Sequence, residues 1–244
     1  MFAFLIGLNS ILGGYIMGQN GIGTLSEKSV HSILKDYLEP DKQYQEVKVG
    51  RDIADIKKDN VIFEVQTQQF KKLLGKLDYY IDKGYDITVV YPLIQEKYIN
   101  WIDPVSTEIV ERRKSSYKRY IQDIFKELYW IVGYIINGEV KLKIVTLTAE
   151  EYKYLDGYGH NQKYKATKID KVPSKILNDI NIKSKDDLKI FLPDTLPKEF
   201  TSKDFQKHTK SRSKYLGSGL KLLRENGIIK IVNKRGNTYV YSVE

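Results

Sequence analysis

The sequence predicts an α/β protein in which helices flank a mixed sheet, followed by a small α+β domain. Two observations predict the first part: alternating or continuous apolar runs between residues 44 and 93, and amphipathic helical segments before and between them. The second part is predicted by a change of pattern, since residues 173–244 consist of short helical segments followed by a hairpin. We therefore divide the chain into residues 1–22, 23–172 and 173–244.

The composition limits the classes of function. The chain has 244 residues, 41% of them hydrophobic, which is enough for one large or two modest domains. The absence of cysteine excludes disulfides and thiolate metal sites, and it suits a reducing cytoplasm. The formal net charge of +9 favours an anionic partner. Residues 201–244 contain ten Lys or Arg and three acids, a net of +7, so a polyanion is expected to bind there.

Residues 1–22 form an apolar leader that is uncharged as far as Ile16 and then rich in glycine. It lacks the basic start and the small-residue cleavage site of a signal peptide. It is also shorter than the roughly 20 residues of a membrane span, and Asn9 interrupts it. We expect a loosely docked segment, or one added by a start codon upstream of Met17, rather than a membrane anchor.

The first predicted element of the α/β domain is a helix over residues 24–38. Thr24 and Glu27 have the spacing of a capping box, which by itself explains the glutamate. Glu27 nevertheless lies only about 60° from the centre of the apolar face, so its side chain points partly toward the sheet. A strand over residues 44–50 follows. The apolar face of the helix is formed by Val30, Ile33, Leu34, Tyr37 and Leu38.

Residues 51–76 organise the rest of the chain, as a strand, a tight hairpin, a second strand and the start of a helix. Alternation in the second strand places Glu64 and Gln66 on one face. If the loop over residues 57–60 has two or four residues, Asp55 shares that face. Two carboxylates about 5–8 Å apart repel each other, so a divalent cation with oxygen ligands is the economical explanation.

A helix over residues 69–83 and a buried central strand over residues 86–93 come next. Lys72 faces away from the apolar stripe of this helix, whereas Lys76 lies on its shoulder. A solvated helical lysine is the ordinary interpretation of Lys76, and a lysine directed at the sheet is the alternative. The apolar stripe is formed by Phe70, Leu73, Leu74, Leu77 and Ile81.

An Asp followed nine residues later by Glu-x-Gln across a hairpin, and then by an amphipathic helix, resembles the PD-(D/E)XK nuclease superfamily. The matching residues are Asp55, Glu64 and Gln66, and the resemblance covers about residues 23–93. It implies a restriction-endonuclease-like fold. It also implies that the Asp and the Glu hold Mg²⁺, which serves the hydrolysis of phosphodiester bonds.

The same resemblance implies roles for further residues. The Val65 carbonyl would be another metal ligand, and Glu27 would contribute from the first helix. Gln66 stands where the superfamily usually has a lysine that positions or activates the attacking water. Glutamine can orient a water but carries no positive charge, so the metal or another lysine must supply that charge. Lys76 is the candidate for that lysine, and Glu27, Asp55, Glu64, Gln66 and Lys76 are the candidate catalytic residues.

The sequence of the middle of the chain supports less specific predictions. Strands are expected over residues 97–102 and 141–147, and a helix over about residues 116–132. The basic segment 111–120, with sequence ERRKSSYKRY, is either a phosphate-binding surface or a charged helix start. Residues 152–171 are either a mobile basic loop or a twisted surface hairpin.

Residues 173–244 contain predicted helices at 184–191, 201–207 and 211–226, and then a hairpin formed by residues 228–232 and 238–243. Three helices and a basic-tipped hairpin resemble a winged helix-turn-helix domain. The resemblance implies that the first turn of the third helix, with Ser211 to Lys214 exposed, meets the major groove of DNA. Winged helices also bind proteins, but the net charge of +7 favours nucleic acid. The candidate DNA-binding residues are Arg212, Lys214, Lys234 and Arg235.

The sequence as a whole predicts a cytoplasmic, Mg²⁺-dependent DNA endonuclease with double-stranded DNA as its partner. Two other classes remain open: a nuclease-fold DNA-binding regulator without catalysis, and a protein-interaction adaptor. Whether two copies pair as a homodimer to cut both strands is also open. The dispersed histidines at positions 31, 160 and 208 argue against histidine-based catalysis.

Overall fold

The computed structural model describes residues 26–158 and 165–244. The predicted leader, Thr24 and His160 lie outside the described residues, and so does the side chain of Glu27. The protein is a mixed α/β structure with a central mixed sheet flanked by helices, as the sequence predicts. None of the helices in the described residues has the length and apolar character that crossing a bilayer requires.

The secondary structure alternates between helices and strands as far as residue 182 and then continues with a small second sheet. The α-helices are α1 (Ser26–Leu38), α2 (Leu74–Asp82), α3 (Phe125–Ile136), α4 (Ser202–Thr209) and α5 (Ser213–Glu225). The strands are β1 (Gln45–Val49), β2 (Asp52–Lys58), β3 (Val61–Val65), β4 (Asp86–Ile102), β5 (Ile109–Lys114), β6 (Val140–Tyr154), β7 (Thr167–Ile182), β8 (Glu199–Thr201), β9 (Ile229–Arg235) and β10 (Thr238–Val243).

The chain divides into two compact units, each formed from separate stretches of sequence. The first contains the described residues up to Leu34, with Ile94–Lys118 and Thr146–Asn178. The second contains Lys35–Leu93, Arg119–Val145 and Asp179–Glu244. The second unit holds every candidate site residue except Glu27.

The strand order of the larger sheet is β1-β2-β3-β4-β6-β7, and β5 pairs with β4. The pairs β1–β2, β2–β3 and β4–β5 are antiparallel, whereas β3 and β4 are parallel. A parallel pair needs a crossover connection, and α2 supplies it. The smaller sheet has the antiparallel order β8-β10-β9.

The hairpin between β2 and β3 turns over Asp59 and Asn60, which is the two-residue loop that the sequence allowed. Asp59 adopts a φ of +51°, a left-handed conformation that Asp tolerates better than most residues. The loop fixes the register, with Ile56 opposite Phe63 and Lys57 opposite Ile62. This register decides which side chains of the two strands share a face.

The crossover from β3 to β4 begins with a 3-10 turn at Phe70–Leu73 and continues as α2. It therefore covers the predicted helix at 69–83. Phe70, Leu73 and Leu77 are buried, as predicted, while Leu74 and Ile81 are partly buried. Their apolar side chains join those of β3 and β4 in one hydrophobic cluster, which anchors the helix on the sheet.

The basic segment near residue 112 is a strand, so the prediction of a charged helix start there is wrong. β5 is exposed along its whole length and pairs with β4. The helix expected at 116–132 starts later, because a 3-10 turn at Ile121–Ile124 precedes α3. The predicted strand at 97–102 is the second half of the long strand β4. Strands β6 and β7 are neighbours in the sheet, and residues 159–164 of the segment between them lie outside the described residues.

The C-terminal helices and hairpin lie close to their predicted positions. Thr201 caps α4 through a reciprocal capping box with Asp204, and Gly227 follows α5 with a φ of +61°. Strand β8 was not predicted. Ser211 was expected to be exposed, but it is buried and its hydroxyl accepts a hydrogen bond from Thr209. Strand β7 runs past residue 173, where the sequence suggested a boundary.

Candidate functional site

Asp55 and Glu64 lie opposite each other on adjacent strands. The register that pairs Ile56 with Phe63 places them one step further along the ladder, and opposed residues of an antiparallel pair share a face. Asp55 Oδ2 accepts a hydrogen bond of 2.8 Å from the Val65 amide. The structure therefore brings together the two carboxylates that the sequence predicts to be neighbours.

Glu64 is buried, with only 2% of its surface exposed, and both of its oxygens have partners. The Lys76 ammonium donates a hydrogen bond of 2.8 Å to Oε2, and the Tyr80 hydroxyl donates one of 3.1 Å to Oε1. Both donors come from α2, where positions 76 and 80 are one turn apart. The helix thus presents one cation and one hydroxyl to a single carboxylate of the sheet.

Burial raises the pKa of Glu64 to about 7. The neighbouring charge of Asp55 also raises it, whereas the Lys76 ammonium and the Tyr80 hydroxyl lower it. Desolvation disfavours the charged carboxylate, and the single ammonium compensates only in part. Glu64 consequently exchanges a proton close to neutral pH, which is a property of groups that serve as acids or bases.

Tyr80 is a site residue that the sequence analysis did not identify. Its ring is fully buried, and burial followed by the charge of Glu64 raises the pKa of its hydroxyl. The hydroxyl therefore stays protonated, and in the structure it donates to Glu64. The signal was present in the sequence, since Tyr80 is four residues after Lys76 and so lies above it on the same face of α2.

The remaining predicted residues of this site have different surroundings. Gln66 is half-buried at the end of β3; its amide N–H donates to the Val90 carbonyl at 2.9 Å, and its side chain donates to the Gln68 carbonyl. Val65 is buried, and its amide N–H is the donor to Asp55. Glu27 belongs to α1, and the position of its side chain is outside the described residues.

The donor set suits a hard divalent cation in part. Asp55 and Glu64 offer carboxylate oxygens on one face, and within the described residues Asp55 Oδ1 accepts no hydrogen bond. Among the same residues, no group of three or more His, Cys, Asp or Glu side chains is arranged to hold a metal ion. A cation would thus rely on these two carboxylates, backbone carbonyls and water, which is how Mg²⁺ is often bound.

The predicted DNA-binding residues lie at two places in the C-terminal region. Arg212 precedes α5 and is half-buried, and Lys214 is exposed in its first turn. Lys234 and Arg235 are exposed at the tip of the hairpin β9–β10, where the Lys234 ammonium lies 5.7 Å from the ring centre of Tyr239. The structure therefore presents three of these four cations to solvent.

A groove that the sequence did not indicate lies between α5 and β10. Its volume is about 380 Å³, and two basic side chains and two tyrosines contribute to its wall. These residues are Lys221, Arg224, Tyr239 and Tyr241. The groove extends the basic character of this region from the tip of the hairpin to the middle of the helix.

Comparison with known proteins identifies a family for the chain without giving it a function. No curated protein and no solved structure was found to match it. One family model, described as a domain of unknown function (DUF8091), matches residues 28–183, which is more than half of the chain. The matched region contains Asp55, Glu64, Lys76 and Tyr80. The chain therefore belongs to the DUF8091 family.

Proposed function

We propose that the protein is a metal-dependent nuclease that hydrolyses phosphodiester bonds of DNA in the cytoplasm. The observation that carries this proposal is the arrangement around Glu64. Asp55 lies opposite it on the neighbouring strand, and the Lys76 ammonium contacts it from α2. Two carboxylates and a lysine on one sheet face are the residue types of the PD-(D/E)XK active site, with the lysine supplied by the helix instead of the strand.

The order of the elements supports this proposal. A helix, an antiparallel group β1-β2-β3, a crossover helix and the parallel strand β4 follow one another. This is the element order that the PD-(D/E)XK resemblance implies, and Asp55 and Glu64 occupy its second and third strands. The order of elements alone supports a nuclease-like fold, whereas the side chains around Glu64 support phosphodiester hydrolysis.

Asp55, Glu64 and the Val65 carbonyl would hold Mg²⁺, and Glu27 is a further candidate from α1. When bound, Mg²⁺ would act as a Lewis acid toward the phosphoryl group that is attacked. Cation binding requires Glu64 to be ionised, and its pKa of about 7 means that this happens near neutral pH. Uptake of the cation should therefore release a proton.

Lys76 and Gln66 together take the two roles of the usual strand lysine, which are to supply positive charge and to orient the attacking water. The Lys76 ammonium carries the positive charge that a developing negative charge on the phosphate requires. Gln66 follows Val65 at the end of β3, and its amide group is able to orient a water molecule. Tyr80 holds the Glu64 carboxylate in position through its hydrogen bond to Oε1.

The C-terminal region supports a role in DNA binding. Strand β8, helices α4 and α5, and the hairpin β9–β10 follow in the order of a winged helix, and β8 pairs with β10. In that arrangement the first turn of α5 would enter the major groove, and the hairpin tip would contact phosphates. Lys214, Lys234 and Arg235 are exposed at those two positions.

The experiment that tests the nuclease proposal is cleavage of supercoiled plasmid by the full chain with Mg²⁺ and with EDTA. We expect nicked or linear product only with Mg²⁺, and loss of product in the Asp55→Ala and Glu64→Ala variants. Asp82→Asn is the matched control, because Asp82 is an exposed acid at the end of α2 that pairs only with Lys83 among the described residues. Full cleavage by both alanine variants would exclude this site.

A second function is favoured by one specific observation. Gln66 replaces the usual lysine, and Lys76 is engaged in a salt bridge with Glu64. The same geometry would arise in a DNA-binding regulator that has kept the nuclease fold and lost its chemistry. Such a protein would bind duplex DNA with a steep salt dependence and leave the plasmid intact. A protein-interaction adaptor would show neither cleavage nor salt-dependent DNA binding.

A further inference from the structure

Arg119 is held by two buried partners on the second compact unit. Its Nη2 donates a hydrogen bond of 3.2 Å to the Tyr91 hydroxyl, and its Nε lies 3.5 Å from Asp123 Oδ2. Tyr91 and Asp123 have only 1% and 2% of their surface exposed, whereas 26% of the Arg119 side chain is exposed. The side chain is therefore held by buried groups while part of it remains exposed to solvent.

The buried Asp123 carboxylate is stabilised by this arginine. Both of its carboxylate oxygens are buried, and within the described residues neither accepts a hydrogen bond. A buried carboxylate without hydrogen bonds is costly unless a cation lies close to it, and Arg119 is the cation at hand. Such a pairing costs Arg119 little of its capacity to bind a ligand, since a guanidinium has five N–H donors in a rigid fork.

The arginine lies on the same face of the sheet as Glu64. In the parallel pair β3–β4, Glu64 is aligned with Val89, and Tyr91 is two residues further along, so its side chain shares that face. Gln66 bonds to Val90, the residue immediately before Tyr91. The tyrosine that holds Arg119 is therefore one step further along this face than Val89, the residue aligned with Glu64.

Helix α5 packs close to this cluster. Burial raises the pKa of the Tyr91 hydroxyl to about 12, and Asp123, Glu127 and Tyr215 are among the groups that raise it. Tyr215 is in the first turn of α5, directly after the exposed Lys214. Helix α5 also contacts the 3-10 turn that contains Asp123. The turn that carries Asp123, the ion-pair partner of Arg119, thus packs against the helix expected to contact DNA.

We propose that Arg119 binds a backbone phosphate of the nucleic acid, and that Tyr91 and Asp123 position it for that contact. This inference rests on the proposed function in its choice of ligand, but it concerns binding and not cleavage. Arginine matches the geometry of a phosphate because two of its N–H groups donate in parallel. The phosphate would belong to the stretch of duplex between the scissile bond and the segment bound by α5.

The test uses the full chain carrying Asp55→Asn, so that no cleavage occurs, and a fluorescent DNA duplex of about 30 base pairs. Binding is followed by anisotropy over a range of NaCl concentrations. The informative variant is Arg119→Met with Asp123→Asn, since removing the arginine alone would leave a buried unpaired carboxylate. We expect its affinity to fall about 5- to 10-fold and the slope of log K against log salt to decrease by about 1.

Three further variants complete the design. Asp123→Asn alone keeps the arginine but removes the charge that positions it, so its affinity should lie between those of the parent and the double variant while its salt slope stays that of the parent. Arg119→Lys keeps the charge, so its salt slope should stay that of the parent while its affinity falls about 2- to 5-fold through loss of the fork geometry. Lys72→Met removes an exposed charge from the turn before α2 and should change neither quantity.

Each outcome decides for or against the inference. If the folded double variant keeps the affinity and the salt slope of the parent, Arg119 does not contact phosphate. Should the double variant fail to fold, an Arg119→Lys variant with unchanged affinity would have the same meaning. A parent that binds no duplex would also overturn the inference. A parent that binds DNA through Arg119 while the wild-type chain cuts nothing would refute only the nuclease proposal.

Discussion

Lys76 and Glu64 form a salt bridge of 2.8 Å between helix α2 and strand β3, at a carboxylate that is almost completely buried. Side-chain exposure is 19% for Lys76 and 3% for Glu64, so the lysine is the more exposed partner of the pair. A buried ion pair costs desolvation energy that its attraction repays only in part. The protonation of Glu64 and the charge of Lys76 should therefore be visible in both stability and activity.

The first prediction concerns the pH dependence of stability. Burial raises the pKa of Glu64 from 4.5 to about 7, so between these values the folded chain holds a proton that the unfolded chain has released. The free energy of unfolding gained from this proton is complete below pH 4.5 and is lost as the pH rises through 7. Glutamine does not titrate, so the Glu64→Gln variant does not lose this free energy as the pH rises. Its free energy of unfolding relative to that of wild type should therefore increase over this pH range, by roughly 3 kcal/mol at most.

Urea unfolding at several pH values between 4 and 8.5 measures this effect. The control is Glu39→Gln, because Lys58 lowers the pKa of Glu39, and its contribution has the opposite sign: present at neutral pH and lost on acidification. Parallel stability curves for wild type and Glu64→Gln across the whole range would show that Glu64 titrates normally and is not buried as described.

The second prediction concerns Lys76. Its removal by Lys76→Met leaves the Glu64 carboxylate without its counterion and raises the pKa of Glu64 further, since Lys76 lowers it. At pH 8 the variant should lose about 1–3 kcal/mol of stability, and at pH 5, where Glu64 is protonated in both proteins, the loss should be smaller. Plasmid cleavage, the proposed activity, should fall by at least about 100-fold.

Lys72→Met is the matched control for this experiment. Lys72 is exposed in the 3-10 turn before α2, four residues before Lys76, and faces away from the apolar stripe. Its substitution should leave stability within about 0.5 kcal/mol and cleavage unchanged. Equal effects of the two substitutions would mean that Lys76 acts as an ordinary surface lysine.

The local part of the site follows from the sequence. Alternation and a two-residue loop were enough to pair Asp55 with Glu64, because a hairpin fixes its register through its own short turn. The shoulder position of Lys76 followed from helical spacing, and the structure places its ammonium on Glu64. Tyr80 was missed because a tyrosine at helical spacing resembles a core residue; only the neighbouring acid shows the use of its hydroxyl.

The parts that were not predicted depend on distant pairing. The basic segment Ile109–Lys114 has no apolar alternation, and it becomes a strand only because β4 extends far enough to pair with it. Pairing with a neighbouring strand can outweigh the conformational preference of the local sequence. Arg119 and Asp123 belong to a segment that the sequence predicts as a helix. The hydrogen bond from Arg119 to Tyr91 joins residues 28 positions apart, so it could not be inferred from helical spacing.

The third prediction concerns the hairpin tip. Lys234→Ala combined with Arg235→Ala should weaken binding of duplex DNA about 10-fold near 0.1 M salt and decrease the salt slope by about 2, because each cation is expected to displace one counterion. Stability should be unchanged, since both side chains are exposed. Lys183→Ala with Lys198→Ala removes the same charge from exposed positions away from the tip. Equal loss with both pairs would indicate a diffuse charge effect instead of a specific contact.

The fourth prediction concerns the packing of α5 on α3, which fixes the position of the candidate DNA-binding helix. Gly219 faces the ring of Phe125 so closely that a Cβ atom would overlap it. The ring has little room to move, because it packs against Phe191 and Phe205 with centroid separations of 4.9 and 6.4 Å. Gly219→Ala should therefore destabilise the protein by about 1–3 kcal/mol despite the better helix propensity of alanine.

Gly217→Ala, two residues earlier on the same helix, provides the comparison. A Cβ atom there meets no described atom within 4 Å, so only the propensity gain remains and the protein should be stabilised by up to about 1 kcal/mol. Thermal and urea unfolding of both variants show directly whether each substitution stabilises or destabilises the protein. Because propensity favours both substitutions, a destabilised Gly219→Ala beside a stabilised Gly217→Ala has only the contact with Phe125 as its cause. Stabilisation by both would mean that α5 does not pack on α3 through this glycine.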